Sequence, residues 1–201
     1  MNSSIMAGSP IPSFSENLSP KTLSVPSALW VMGAAFLMAF CAQITIPLPF
    51  TPVPLTGSTF GVLFSAALLG PRRGLLSVGI YLAMGAIGFP FFAGASSGWH
   101  VFFGATGGYL IGFLPAAYLT GVLSSLGWDR DPLTAFLQMM IGSSVILAFG
   151  LTVLSFCVSK DSLLAKGLYP FLVGDILKSC LAAGLLPLGW RLIRSRNELS
   201  E

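Results

Sequence analysis

Charge is scarce in this chain. Of 201 residues only 8% are Asp, Glu, Lys or Arg, against about 25% in an ordinary soluble domain. A soluble globule of this size needs a charged surface, so a soluble enzyme, a disordered tail and a nucleic-acid-binding domain are excluded. The net charge of +3 is too small, and the basic residues too scattered, for a polyanion-binding face. Cysteine is sparse too: Cys41, Cys157 and Cys180 are isolated thiols in apolar runs, with neither a disulfide framework nor metal-ligand spacing. One histidine, His100, cannot build a metal site with them. No Gly-x-x-x-x-Gly-Lys-Ser/Thr occurs, so no P-loop hydrolyses nucleotide here. There is no array of intramembrane acids and no arginine ladder, which argues against a proton pump and a voltage sensor.

Apolar residues fill the space that charge leaves. They make up 54% of the chain, and the mean hydropathy is +0.84. This composition belongs to an integral membrane protein. Residues 1–26 are polar, carry Pro10, Pro12, Pro20 and Pro26, and lack a basic stretch before an apolar one; they read as a flexible cytoplasmic tail, not a secretory signal. Six apolar runs follow, at 27–46, 57–70, 74–90, 105–126, 133–157 and 170–190. The expected fold is therefore an all-α integral membrane protein with six transmembrane helices. A single membrane domain spans 27–193, and 194–201 form a cytoplasmic C-terminal tail. Six spans put Lys21, Arg72, Arg73, Arg130, Arg191, Arg194 and Arg196 on one side and only Lys160 and Lys166 on the other. Basic loops stay inside, so both termini are expected to be cytoplasmic.

Thirteen of the 23 glycines lie between Gly57 and Gly112. Gly104, Gly108 and Gly112, like Gly57 and Gly61, recur every four residues, a spacing that lets helix backbones approach closely in lipid. Pro115 inside span four is expected to kink it. The loop from Ile46 to Leu55 holds Pro47, Pro49, Pro52 and Pro54 and no charge; it is stiff, and serves either as a lid or as a connector. The segment Phe89–Gly108 is apolar but too broken for a continuous helix. Such backbone is tolerated at a membrane where it lines a cavity or is covered by protein.

Asp175 and Lys178 are the ionisable pair well inside an apolar span. At i, i+3 they share a helix face, and each costs several kcal/mol to bury unless paired. They either form a salt bridge that only locks span six, or give a substrate entering from outside a polar contact point. Asp accepts from N–H groups and Lys donates to a carbonyl or carboxylate, so a cyclic urea, an amide or a pyrimidine would satisfy both. Phe89, Phe91, Phe92, Trp99, Tyr81 and Tyr109 supply apolar walls for such a site. Two classes of function stay open. One is a substrate-capture membrane subunit that relies on partners for energy. The other is an integral membrane enzyme acting on a small or lipid-soluble substrate through Asp175 and Lys178, or through Ser96, Ser97 and His100. The shortage of catalytic groups favours the first.

From about Ala34 to Leu188 the chain resembles the biotin-specific S component of energy-coupling-factor transporters, the BioY family. The resemblance rests on LLGPRRG, GAIGFP and TGGYLIGF in that order, and on Gly174-Asp175-Ile176-Leu177-Lys178, similar to the family's Asp-x-x-Lys element in the last helix. It implies a six-helix S component in the cell membrane that captures biotin from outside, is not an enzyme and carries no cofactor. It further implies that a transmembrane coupling subunit and two cytoplasmic ATPases supply the energy. The implied site is roofed by the loops after spans one and three. Asp175 and Lys178 contact the polar ring, Tyr81, Phe91 and Tyr109 the thioether ring and tail, and Thr106 and Ser58 add polar contacts. Ala35 and Ala39 match the Ala-x-x-x-Ala pattern that docks on the coupling subunit. The chain departs from the family pattern at Ser58, where Gln is common, at Ala105, where Pro is common, and over Ser96–His100.

Overall fold

The computed structural model describes residues 27–198, with side chains through Leu192; the tail 1–26 with Lys21, and the side chains of Arg194 and Arg196, lie outside the described residues. The chain is mostly helical. Helix α1 (Ser27–Gln43) leads through a loop to α2 (Ser58–Ala86), followed by α3 (Gly107–Ser125), α4 (Pro132–Leu154), α5 (Lys160–Gly167) and α6 (Tyr169–Glu198). The runs Gly107–Ser125, Pro132–Leu154 and Lys160–Leu192 are long and apolar enough to cross a membrane, and α1 is a shorter apolar helix. Along the bundle α1 packs on α2, α2 on α3, α3 on α4, and α4 on α6.

The two runs expected at 57–70 and 74–90 are halves of α2. They meet at Gly70, whose φ of 78° and ψ of −178° are accessible essentially only to glycine. Pro71 then starts the second half without needing a backbone donor. The turn is so tight that a Cβ at Gly74 would lie 2.9 Å from the Ala66 Cα. Helix α3 passes close by, and a Cβ at Gly121 would lie 2.6 Å from the Gly70 carbonyl carbon and the Pro71 nitrogen. The break in helical geometry thus falls at Gly70, whereas α3 runs from Gly107 to Ser125 as one helix through Pro115.

Three features lie outside the sequence expectation. The proline-rich loop carries a two-stranded antiparallel ribbon, β1 (Thr45–Ile46) with β2 (Leu55–Thr56), pairing Thr45 with Thr56 and Ile46 with Leu55. The stretch after span five contains α5. Helix α6 continues through Glu198, past the boundary expected at 193.

Apolar surroundings leave backbone carbonyls as the main partners for buried polar side chains. Ser124 Oγ donates to Ala67 O (2.6 Å) and Gln138 Nε2 to Thr120 O (3.1 Å). Asp131 caps α4, accepting from Leu133 N (3.1 Å) ahead of Pro132 at the first turn. Next to that cap, Asp129 is buried and accepts from Trp190 Nε1 (2.7 Å), while the Arg130 guanidinium lies 4.5 Å over the Trp190 ring. Arg72, Arg130 and Arg191 thereby fall at the end of the bundle formed by the Gly70 turn, the α3–α4 loop and the late part of α6. Lys160 and Lys166 lie on α5 at the opposite end.

Two outcomes follow for this end of the bundle. Gly121→Val should destabilise by about 1–3 kcal/mol through overpacking, read as a lowered thermal midpoint in detergent. Burial pushes the Asp129 carboxyl up, against the opposing hydrogen bond from Trp190. A carboxyl held above its unfolded pKa favours the folded state at low pH, and this contribution is lost as pH rises through the folded value. Asp129→Asn should flatten that part of the stability–pH curve.

Candidate functional site

At the end of the bundle opposite Gly70, α2, α3, α4 and α6 surround a cavity of about 260 Å³. Its polar floor is the Asp175–Lys178 pair, where Lys178 Nζ lies 3.4 Å from Asp175 Oδ1. The i, i+3 spacing on α6 brings them together, and neighbouring helices complete the set. Ser143 of α4 donates to Asp175 Oδ2, and Lys178 Nζ donates to Thr59 Oγ1 of α2 at 2.8 Å. Each carboxylate oxygen has a lone pair to spare, and the ammonium has a third N–H. The pair is thus neutralised yet still able to accept from one group and donate to another.

The walls are apolar. Tyr81 on α2 is fully buried and meets Phe92 edge-on at 5.7 Å. Tyr109 on α3 stacks on Phe171 at 5.6 Å, with its hydroxyl donating to Gly167 O at 3.0 Å. Both proposed roof segments reach the cavity: Val53, Pro54 and Thr56 from the proline-rich loop, and Phe92, Ala93, Ser96, Val101 and Thr106 from the segment between α2 and α3. The first loop therefore is more than a connector. Thr51 Oγ1 ties it to α5 by donating to Lys166 O at 2.7 Å.

Of the residues expected from sequence, Asp175, Lys178, Tyr81, Tyr109, Thr106 and Ser58 all line this cavity. Phe91 does not. It lies outside the lining, stacked on Tyr81 at 6.3 Å and edge-on to Phe36 at 5.7 Å, and its neighbour Phe92 takes the inward place. Ala35 and Ala39 are 1% and 8% exposed and belong to the core. The side chains that α1 presents outward are Phe36, Leu37 and Phe40. Ser96 Oγ donates to Ala93 O at 2.8 Å, so its one proton is used within its own turn while its oxygen can still accept.

Three residues escaped the sequence reading. Thr59 and Ser143 hold the charged pair, and their signal was a hydroxyl within an apolar run. Gln43, at the end of α1, holds the second roof segment. Its Nε2 donates towards Ala39 O (3.1 Å), Pro90 O (3.3 Å) and Phe92 O (3.2 Å), and its Oε1 accepts from Ala95 N at 3.0 Å. Gly94 and Ala95 there have φ of 63° and 57°, a left-handed turn that is costly for alanine. One side-chain amide thus fixes the backbone from which Phe92 and Ala93 face the cavity. Gln43→Ala should lower stability by about 1–3 kcal/mol, the cost of unsatisfied partners, and speed amide exchange over residues 90–96.

A family model described as the BioY family matches residues 16–195. Among curated proteins, the biotin transporter BioY of Rhizobium etli is 34% identical over 179 residues, covering 84% of this chain and 96% of the relative. That of Thermotoga maritima is 37% identical over 149 residues, covering 73% and 85%. Among solved structures, the S-component for biotin from an ECF-type ABC transporter aligns with a TM-score of 0.70 at 26% identity, over 89% of this chain and 95% of the other.

Proposed function

The chain belongs to the BioY family, and from that membership and its cavity we propose that it is the biotin-capture subunit of a vitamin uptake transporter in the cell membrane. The observation that carries the reading is the Asp175–Lys178 pair on the cavity floor. Biotin's ureido ring has two N–H donors beside one carbonyl. Asp175 accepts from an N–H and Lys178 donates to the carbonyl. Tyr81, Phe92 and Tyr109 flank the thioether ring and aliphatic tail, with Phe91 backing Tyr81. Ser58 and Thr106 are the remaining polar contacts among the residues expected from sequence. The relatives are transporters, and nothing in them supports the membrane-enzyme alternative.

Six spans follow when the halves of α2 are counted separately with α1, α3, α4 and α6. The proposal places both termini in the cytoplasm, supported by Arg72, Arg130 and Arg191 at one end against Lys160 and Lys166 at the other. The sequence holds no nucleotide-binding motif, so uptake is energised by a transmembrane coupling subunit and two cytoplasmic ATPases.

Titration of the detergent-purified, ligand-stripped chain with biotin, followed by tryptophan fluorescence, tests the reading. Tight saturable binding is expected. Asp175→Asn should cost about 2–5 kcal/mol of affinity, at least tenfold in Kd, because it leaves Lys178 poorly paired. Unchanged affinity in the variant would remove Asp175 from the site. No binding by the folded parent chain would remove biotin.

A further inference from the structure

The walls of the biotin cavity carry no net charge. One anion, Asp175, and one cation, Lys178, line it, and they are paired at 3.4 Å. Biotin ends in a carboxylate, at the far end of its tail from the ureido ring, and that group is ionised at neutral pH. No second cation lines the cavity to receive it. Lys160 and Lys166 lie on α5 at this end of the bundle, but neither belongs to the lining. Lys166 meets the roof through its main-chain carbonyl, which accepts from Thr51.

Lys178 does not serve both ends of such a ligand. Of its three N–H groups, one faces Asp175 and one Thr59. The third is the donor that the ureido carbonyl takes. A carboxylate elsewhere inside the apolar walls would be a buried charge without a partner, which is costly. The tail therefore ends at the rim, within reach of water, where a charge contributes little.

The polar groups that the rim offers are neutral. The Thr106 hydroxyl, at the start of α3, makes no cap bond, so it can donate or accept. Thr56 and Ser58 share one hydrogen bond between their hydroxyls, which leaves one proton and lone pairs to spare. Ser96 uses its proton on Ala93 O and so offers lone pairs only. The first amides of α3 are used within the chain, Gly107 N on Gly104 O (3.0 Å) and Tyr109 N on Thr106 O (3.1 Å). A carboxylate only accepts, and gains nothing from a lone pair set against it. A carboxamide accepts through its carbonyl and donates through its NH2. This mixture of donors and acceptors suits a neutral amide at least as well as an anion.

We propose that the site reads the ring of its ligand and not the charge of the tail, so that ureido-ring compounds ending in a neutral carboxamide are captured alongside the free acid. The inference rests on the biotin reading of the same cavity.

The test compares two ligands that differ only at the tail. The detergent-purified, ligand-stripped full chain is titrated with biotin and with biotin carboxamide by isothermal calorimetry at neutral pH. The two Kd values should agree within about fivefold, the most that an exposed ion pair contributes. Lys178→Gln should weaken both compounds by the same factor, because Lys178 serves the ring they share. Lys166→Gln should change neither. A larger preference of the parent chain for the acid overturns the proposal, as does a loss confined to the acid in either variant. The parent comparison decides alone if a variant does not fold. Tight binding of the acid with a much weaker amide removes this inference and leaves the biotin reading standing. Binding of neither compound by the folded chain removes both.

Discussion

The structure depends on how a carboxylate and an ammonium are kept inside an apolar bundle. Neither ion is tolerable alone there, and removing one partner of such a pair is far more damaging than removing both. Asp175 and Lys178 answer each other along one face of α6, but a single helix cannot satisfy the remaining lone pairs and protons. Ser143 must come from α4 and Thr59 from α2. That requirement fixes the rotation of three helices about a common point, and the cavity is the space above it. The same charges thus set the register of the cavity walls.

Close approach of the helices makes that register reachable. The Gly70 turn folds the halves of α2 against each other at Gly74 and Ala66, and α3 reaches the turn at Gly121. Without a hydrophobic drive between helices in lipid, contact area comes from small residues. The glycine-rich middle of the sequence thereby becomes a packing device at one end of the bundle and, beyond α2, a loop that can bend over the cavity at the other.

Asp175 and Lys178 were legible because an ionisable pair in an apolar run has few explanations. The apolar runs located the helices, and the basic residues fall at the two ends of the bundle, Arg72, Arg130 and Arg191 at one and Lys160 and Lys166 at the other. What the sequence hid was of another kind. The inward choice of Phe92 over Phe91 depends on the turn at Gly94 and Ala95, which no periodicity announces. The burial of Ala35 and Ala39 depends on which face of α1 meets α2, and an apolar helix in a membrane protein carries no polar face to mark it. Helix α5 was hidden by its short length and by charges that read as loop. Gln43, one of two glutamines in the chain, acts entirely on backbone atoms and so leaves no side-chain partner to search for.

Helix α5 holds the cavity by its end. Thr51 and Tyr109 both donate to main-chain carbonyls, of Lys166 and Gly167, which the last turn of any helix leaves unpaired. The anchor is therefore a position in space rather than an amino-acid identity. Over evolutionary time the solvent-facing residues of α5 are free to drift, in composition and in charge, without disturbing the pocket. A change of length between α4 and α5 has no such freedom, because it would carry the carbonyls away from the hydroxyls that hold them. The outer rim should accordingly tolerate substitution and resist insertion.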